Sequence, residues 1–290
     1  MTAKKLFVYG TLRKNESNHF VLKGSPCIAE QAWVYGELYD TGLGYPTMKA
    51  SLDQKVYGEL YEVHLDHFAG LDELEVYIPG RKDNLYDRVE QTVHTDTGEV
   101  MALVYVSNRD DLLAEPILHG DWKLYRLMKD KPEKTHYFAY GSCMDDERFR
   151  LANVDQHFKS VVGGGVLKGY SMQYLFSRDD GGRADIIEDG GVTEGILYEL
   201  PYEAVEYLFQ REGFYGQWYR PAFVNVQVGK EFYQDVLTFH VYNKKGELPP
   251  PNHYALEILR GARGRVSDEY YKKLEEQLEK LGVKINLDAQ

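Results

Sequence analysis

Two distant stretches of this chain carry one pattern. Lys5-Leu6-Phe7-Val8-Tyr9-Gly10-Thr11-Leu12 reappears as His136-Tyr137-Phe138-Ala139-Tyr140-Gly141-Ser142-Cys143. A second block follows in the same order, with Gly58-Glu59-Leu60-Tyr61-Glu62 matching Gly195-Ile196-Leu197-Tyr198-Glu199. In each half a glutamate, Glu75 or Glu212, stands 17 residues after the glycine of that block. Such matched spacing marks an internal duplication. That constrains the fold more than local propensity does, because each copy must close its own core. A third block pairs Tyr86-Asp87-Arg88 with Trp218-Tyr219-Arg220 after a gap of different length, as expected of a variable loop.

Between the copies, residues 129–135 (Lys-Asp-Lys-Pro-Glu-Lys-Thr) are charged, contain a proline and lack apolar periodicity, so they read as a linker. The expected domains are 1–129 and 135–290, a sensible division of 290 residues. Short apolar runs at 6–9 and 137–140 end at glycine, as buried strands do. Further strands are expected at 31–39, 55–63, 88–93 and 101–106, and at 166–176, 192–200, 222–228 and 235–241, all rich in Val, Tyr and Leu. Short helices are expected at 63–74 and 201–210, the latter with Pro201 in its first turn. A longer amphipathic helix at 267–281 is capped by Ser267, with Tyr270, Tyr271, Leu274, Leu278 and Leu281 as its apolar stripe. Strands do not alternate regularly with long helices, which argues against a doubly wound nucleotide fold. An α+β architecture of two small mixed or antiparallel β-barrels with flanking helices fits better.

The formal net charge of −12 argues against nucleic acid and anionic membrane as partners, since phosphates require clustered Lys and Arg. The two cysteines, Cys27 and Cys143, sit in different halves and form neither a disulfide framework nor a zinc pattern. The polar start Met1-Thr2-Ala3-Lys4-Lys5 and the lack of a long apolar run point to a cytoplasmic protein without membrane attachment.

The candidate chemistry lies at the repeated positions. A strand ending in Tyr9-Gly10-Thr11-Leu12 or Tyr140-Gly141-Ser142-Cys143 leaves backbone N–H groups free, and its glycine admits a ligand close to the chain. A tight turn at a strand end uses the same residues. Glu75 and Glu212 occupy equivalent positions, each before an aromatic-rich segment (Val76-Tyr77 and Gly213-Phe214-Tyr215) that would strip its hydration and raise its pKa. A glutamate capping a helix end is the plainer alternative. Gly163-Gly164-Gly165 lacks the Gly-Lys-Ser/Thr ending of a phosphate loop and reads as a turn. His64 and His67 share a helix face without a third ligand at metal spacing, so no metal site is expected. Cys143 follows the second loop but has no histidine tied to it, which disfavours a catalytic thiol.

With these residues in place, the chain resembles the gamma-glutamylcyclotransferase superfamily in both halves. The first half is similar to the gamma-glutamylamine cyclotransferase and avirulence-induced-gene-like branch through Phe7-Val8-Tyr9-Gly10-Thr11-Leu12, Gly58-Glu59-Leu60-Tyr61, Leu71-Asp72-Glu73-Leu74-Glu75 and Tyr86-Asp87-Arg88. The second is similar to the glutathione-pathway branch through residues 137–142, Glu194-Gly195-Ile196-Leu197-Tyr198, Arg211-Glu212-Gly213 and the tail with Pro249-Pro250-Pro251, Tyr254 and Gly261-Ala262. That branch usually carries Asn where Cys143 stands, a departure that weakens or retunes the second pocket.

The resemblance implies a loop that holds a gamma-glutamyl group on backbone amides and one glutamate acting as general acid/base: Glu75 in the first copy, Glu212 in the second. The expected reaction releases 5-oxoproline from a gamma-glutamyl amine or amino acid, without cofactor or metal. Whether the loop amides meet the carbonyl oxygen or the α-carboxylate stays open, as do the leaving group and the oligomeric state. Two alternatives also stay open: one catalytic copy beside a scaffold copy, and a non-catalytic binder of small carboxylates or of a partner.

Overall fold

A computed structural model describes residues 3–285; Met1 and Thr2 of the polar N-terminal stretch, and residues 286–290, lie outside the described residues. The chain divides into two compact units, Met1–Asp130 and Lys131–Gln290.

The first unit is built from β1 (Ala3–Val8), β2 (Cys27–Tyr35), β3 (Glu37–Asp40), β4 (Pro46–Lys49), β5 (Lys55–His64), α1 (Phe68–Leu74), β6 (Asp87–Thr95), β7 (Gly98–Val106), β8 (Glu115–Pro116) and α2 (Trp122–Asp130). Five strands close a barrel in the order β1-β5-β2-β6-β7, and β4-β3-β8 form a separate small sheet. The second unit contains β9 (Thr135–Ala139), α3 (Asp146–Leu151), β10 (Val161–Arg178), β11 (Gly181–Leu200), α4 (Tyr202–Arg211), β12 (Tyr219–Val228), β13 (Glu231–Val241), α5 (Asn252–Ala262) and α6 (Asp268–Lys280). Its barrel runs β10-β11-β9-β13-β12. Started from β9, this is the cyclic order of the first barrel. The architecture is thus two five-stranded mixed barrels with flanking helices.

The duplication holds at the level of single residues. Phe7 pairs with Leu60, and the matching Phe138 pairs with Leu197. Each first strand is antiparallel to the glycine-bearing strand and parallel to the last strand of its barrel. The repeated glycine is explained by this pairing. A Cβ at Gly58 would run into the Val8 carbonyl oxygen and the Phe7 ring, and one at Gly195 into the Ala139 carbonyl and the Phe138 ring. No side chain fits there. Along β1 and the residue after it, Phe7 and Tyr9 belong to one apolar cluster, with Val34, Leu60 and Val104, while Leu6 and Val8 belong to a second, with Phe68 and Leu71 of α1. Burial on both faces is why the run reads as continuously apolar rather than alternating.

Several expectations are corrected. The strand expected at 31–39 is interrupted at Gly36, where a Cβ would strike the Met48 side chain, so the chain passes from β2 into β3. The helix expected at 63–74 is shorter: Val63 and His64 finish β5, a 3-10 turn covers Leu65–His67, and α1 begins at Phe68. His64 and His67 therefore do not share a helix. Gly163-Gly164-Gly165 is not a turn but part of β10, where missing side chains let Val226, Phe138 and the Arg265 carbonyl approach. The strands expected at 166–176 and 192–200 are portions of β10 and β11, of 18 and 20 residues. Lys129 and Asp130 end α2 and Thr135 begins β9, so the linker narrows to residues 131–134. Pro201 precedes α4 as its N-cap. In α6, Ser267 Oγ accepts from Tyr270 N–H at 3.1 Å, and Tyr270, Leu274 and Leu278 are buried, whereas Tyr271 and Leu281 are only half-buried.

The third repeat block is out of register by one residue. Tyr9 Oη donates to the Tyr105 carbonyl and Tyr140 Oη to the Phe239 carbonyl, which makes Tyr105 and Phe239 equivalent. Tyr105 pairs with Arg88, but Phe239 pairs with Pro221. Tyr86 therefore corresponds to Tyr219, and Arg88 to Pro221. The mismatched gap hid this shift.

A buried charge network anchors the first loop from behind. Arg13 Nε donates to Glu59 at 3.2 Å and its Nη1 to Asp121 at 2.9 Å, with all three side chains almost fully buried. Glu59 also accepts from Lys14 N–H at 2.7 Å and Tyr61 Oη at 2.8 Å, and Asp121 accepts from Lys123 and Leu124 N–H at the start of α2. Burial works against the Arg13 charge, but Asp121 and Glu59 outweigh it and hold its pKa above the usual arginine value. The second unit solves the same packing problem with Met144 and Ile196, both fully buried. Breaking one side of a buried pair strands the other charge, so Arg13→Ala is expected to destabilise the first unit by about 3–5 kcal/mol in urea unfolding.

Candidate functional site

In the first unit the structure brings all the repeated candidates to one cavity of about 320 Å³: Tyr9, Gly10, Thr11 and Leu12 from the loop after β1, and Glu75 from the end of α1. Tyr45, Pro46, Leu74, Leu85, Tyr86 and Tyr105 complete most of the wall. Leu74 and Tyr86 lie in blocks that the sequence marks, whereas Tyr45, Pro46 and Tyr105 carried no sequence signal, because the β3–β4 hairpin and β7 reach the cavity only through tertiary folding. Gly10 sits against the Pro46 ring, where a Cβ would come within 2.7 Å. The loop folds back on itself: Arg13 N–H donates to the Gly10 carbonyl, and Asn18 bonds both the Thr11 carbonyl and its hydroxyl. Among the described residues the N–H groups of Gly10, Thr11 and Leu12 donate to no acceptor. Three consecutive free N–H groups form a nest suited to an anionic oxygen.

Glu75 caps the C-terminus of α1, its N–H donating to the Leu71 carbonyl at 2.9 Å. Its carboxylate has no hydrogen-bond or ion-pair partner among the described residues, and burial pushes its pKa from 4.5 up to about 7. The next residue, Val76, is left-handed at φ 52°, a costly conformation for a β-branched residue. Its counterpart after Glu212 is Gly213, at φ 63°, which adopts this geometry freely. The helix carrying Glu75 is clamped through Asp72, which accepts from Tyr105 Oη at 2.6 Å and from Arg88 Nη1 at 2.7 and 2.9 Å. Tyr9 and Tyr86 spend their hydroxyls on the Tyr105 and Pro46 carbonyls. Burial raises both phenols, so they stay protonated and act as fixed walls.

The second unit repeats this frame with different contents. Glu212 caps α4 with its N–H on the Leu208 carbonyl at 2.8 Å, and the N–H groups of Gly141, Ser142 and Cys143 are free among the described residues. The Asp72–Tyr105 hydrogen bond is replaced by packing of Phe209 against Phe239, with ring centroids 6.3 Å apart. Tyr140, Gly141, Ser142, Cys143 and Glu212 again share a cavity, but only about 30 Å³ is left. Tyr254 of α5 stands in its wall, its hydroxyl accepting from Ala184 N–H at 3.2 Å, and a cavity of about 190 Å³ adjoins it, sharing Ser142, Glu212, Tyr219 and Tyr254. Cys143 and Arg211 stand where the first unit has Leu12 and Leu74. Cys143 Sγ donates to Glu212 Oε1 at 3.3 Å, Arg211 Nε donates to the same sulfur at 3.2 Å, and Arg211 lies 3.6 Å from Glu212. Burial pushes the Cys143 thiol up, so it is a neutral donor to the glutamate and a poor nucleophile.

Among the described residues no group of three or more His, Cys, Asp or Glu side chains could hold a metal ion, and no helix is long and apolar enough to cross a membrane.

The pKa of Glu75 fixes a pH dependence. Between pH 4.5 and about 7 the folded chain keeps a proton that the unfolded chain has lost, so stability falls as pH rises through this window. Glu75→Gln removes that cost. The variant is expected to gain on the order of 1–3 kcal/mol over the wild type at about pH 8 and nothing near pH 4, by denaturant unfolding at both values.

Comparison with known proteins agrees with this geometry. Residues 6–124 match the family model "Gamma-glutamyl cyclotransferase, AIG2-like", and residues 193–274 match the "AIG2-like family". A Bacillus subtilis (strain 168) protein named "Putative gamma-glutamylcyclotransferase YkqA" is 44% identical over 279 residues, covering 95% of this chain and 98% of that one. The crystal structure of YkqA from Bacillus subtilis superposes with a TM-score of 0.89 at 42% identity over 98% of this chain and 100% of that one. A Niallia circulans protein named "Gamma-L-glutamyl-butirosin B gamma-glutamyl cyclotransferase" is 45% identical over 123 residues, which are 42% of this chain and 77% of that one. With two copies of one barrel, each matched by an AIG2-like model, and an end-to-end relative at this identity, the chain belongs to the gamma-glutamylcyclotransferase superfamily as a tandem member.

Proposed function

We propose that the first unit releases 5-oxoproline from a gamma-glutamyl amine, with Glu75 as general acid/base and the second unit not turning over this substrate. The observation that carries this reading is the unpartnered Glu75, poised at about 7 in an open cavity beside three free N–H groups. A base with its pKa near the working pH transfers protons in both directions efficiently. Glu75 takes a proton from the substrate's α-ammonium. The freed nitrogen attacks the γ-carbonyl carbon and forms the five-membered ring's C–N bond. Collapse of the adduct breaks the bond to the leaving nitrogen, which receives the proton from Glu75; the ring nitrogen gives up its second proton to the freed carboxylate, which passes it on, so that the amine leaves as an ammonium and Glu75 is regenerated. The N–H groups of Gly10, Thr11 and Leu12 hold an anionic oxygen of the substrate, and the aromatic wall keeps its chain folded for ring closure, an alignment worth up to about 7–11 kcal/mol in favourable cases.

No Lys or Arg lines the first cavity, so it offers no counter-charge to a leaving group with its own carboxylate. This favours an amine over an amino acid. The relative named for gamma-L-glutamyl-butirosin B is consistent with that preference. In the second unit, only about 30 Å³ remains beside the loop and Glu212 is tied to Cys143 and Arg211, which supports the reading of one catalytic copy.

The test is 5-oxoproline release, followed by mass spectrometry across gamma-glutamyl amines and gamma-glutamyl amino acids. Glu75→Gln is expected to lower kcat/KM by about 10²–10⁴-fold, while Glu212→Gln stays within about twofold of wild type. The wild-type kcat/KM should rise with pH along a limb centred near the Glu75 pKa of about 7. Wild-type rates in Glu75→Gln, with loss in Glu212→Gln, would move the reaction to the second unit.

A further inference from the structure

A cavity of about 190 Å³ adjoins the loop–glutamate site of the second unit and shares Ser142, Glu212, Tyr219 and Tyr254 with it. Its outer wall is built from Arg148, Arg178, Arg183 and Arg211 together with Phe176 and Trp218. Gathering four guanidinium groups around one small space costs electrostatic energy unless anions offset it. Acidic side chains offset part of it. Arg148 pairs with Glu257 at 2.5 Å, Arg183 with Asp180 at 2.8 Å, and Arg211 with Glu212 at 3.6 Å. Arg178 has no acidic partner among the described residues; its guanidinium lies 4.3 Å from the Trp218 ring centroid.

Arg211 is the more telling group. Its side chain is only 15% exposed, and its Nε is spent on the Cys143 sulfur. Among the described residues its two terminal amino groups make no hydrogen bond, although they belong to a side chain lining the cavity. A mostly buried guanidinium with unused donors on a cavity wall is a preformed seat for a flat, bidentate anion. Arg183 donates to the Gly182 carbonyl and to Asp180 and stacks on the Tyr254 ring at 4.9 Å. None of these arginines has a counterpart in the first unit's cavity wall.

We propose that this cavity binds a small organic dianion carrying carboxylate or phosphate groups, one seated on Arg211 and the other on Arg178. The cavity's volume limits the ligand to about ten heavy atoms or fewer. The proposal is independent of the reaction assigned to the first unit.

The experiment is isothermal titration of the full chain carrying Glu75→Gln, which silences the first unit. Malonate, succinate, inorganic phosphate and pyrophosphate serve as probes, with acetate and malonamide as controls. At least one dianion is expected to bind at one site per chain, about tenfold or more tighter than acetate, and to weaken as salt is raised. Carboxylate and phosphate probes titrated separately identify which anionic group the seat prefers. Arg178→Ala, an exposed change, and Arg211→Lys, which keeps the charge but loses the fork, are each expected to weaken binding about tenfold or more, with circular dichroism confirming the fold. Absence of dianion binding at millimolar concentration, or unchanged affinity in both variants, would overturn the proposal.

Discussion

Each barrel depends on how closely its first strand approaches the strand carrying the repeated glycine. At Gly58 and Gly195 the neighbouring backbone occupies the space a side chain would need. This contact sets the register of Phe7 against Leu60 and of Phe138 against Leu197. The register then decides where the chain leaves the barrel as the Tyr-Gly loop, and which residues of the last strand receive the Tyr9 and Tyr140 hydroxyls. The helix that ends in the glutamate follows the same strand, so loop and carboxylate are brought together by one pairing.

On this shared frame the two units diverge by a few substitutions. Leu12 and Leu74 leave Glu75 dry and unpaired, whereas Cys143 and Arg211 give Glu212 a donor and a cation. The supporting contacts differ in kind as well. The first unit holds its loop with buried charge, through Arg13, Glu59 and Asp121, and its helix with the half-buried pair Asp72 and Arg88. The second uses Met144, Ile196, Phe209 and Phe239 at the corresponding places. A buried ion pair and an apolar pair of similar volume are energetically comparable, so drift between them preserves the fold. The carboxylate environment has no such neutrality, because a charge in low dielectric responds to every neighbour.

The large second-unit hairpin and α5 change what the second frame can hold. Beside the loop, with Tyr254 in the wall, only about 30 Å³ remains where the first unit leaves about 320 Å³, and the arginines on β10, β11, α3 and α4 surround an adjoining space that shares Glu212 and Tyr254 with it. Strain tells a parallel story beside the glutamates. Gly213 adopts the left-handed turn freely, whereas Val76 adopts it at a cost that its surroundings must offset.

The repeat, the two glutamates, the two Tyr-Gly loops and the barrel class were legible in the linear sequence because they rest on local pattern: short apolar runs, glycines at fixed offsets and an equal spacing of 17 residues. The register of the third block was not, since a loop of unequal length precedes it and only the Tyr9 and Tyr140 hydrogen bonds reveal that Tyr86 matches Tyr219. Nor were the Gly163–Gly165 strand, the placing of Tyr254 at the second site or the arginine cavity, which arise from elements far apart in the chain. The sequence by itself determined two copies of one barrel with a glutamate in each. Only tertiary structure decided that Glu75 is unpartnered in an apolar, aromatic cavity while Glu212 is paired beside a cluster of arginines, because hydration and charge at a carboxylate depend on what the whole fold places around it.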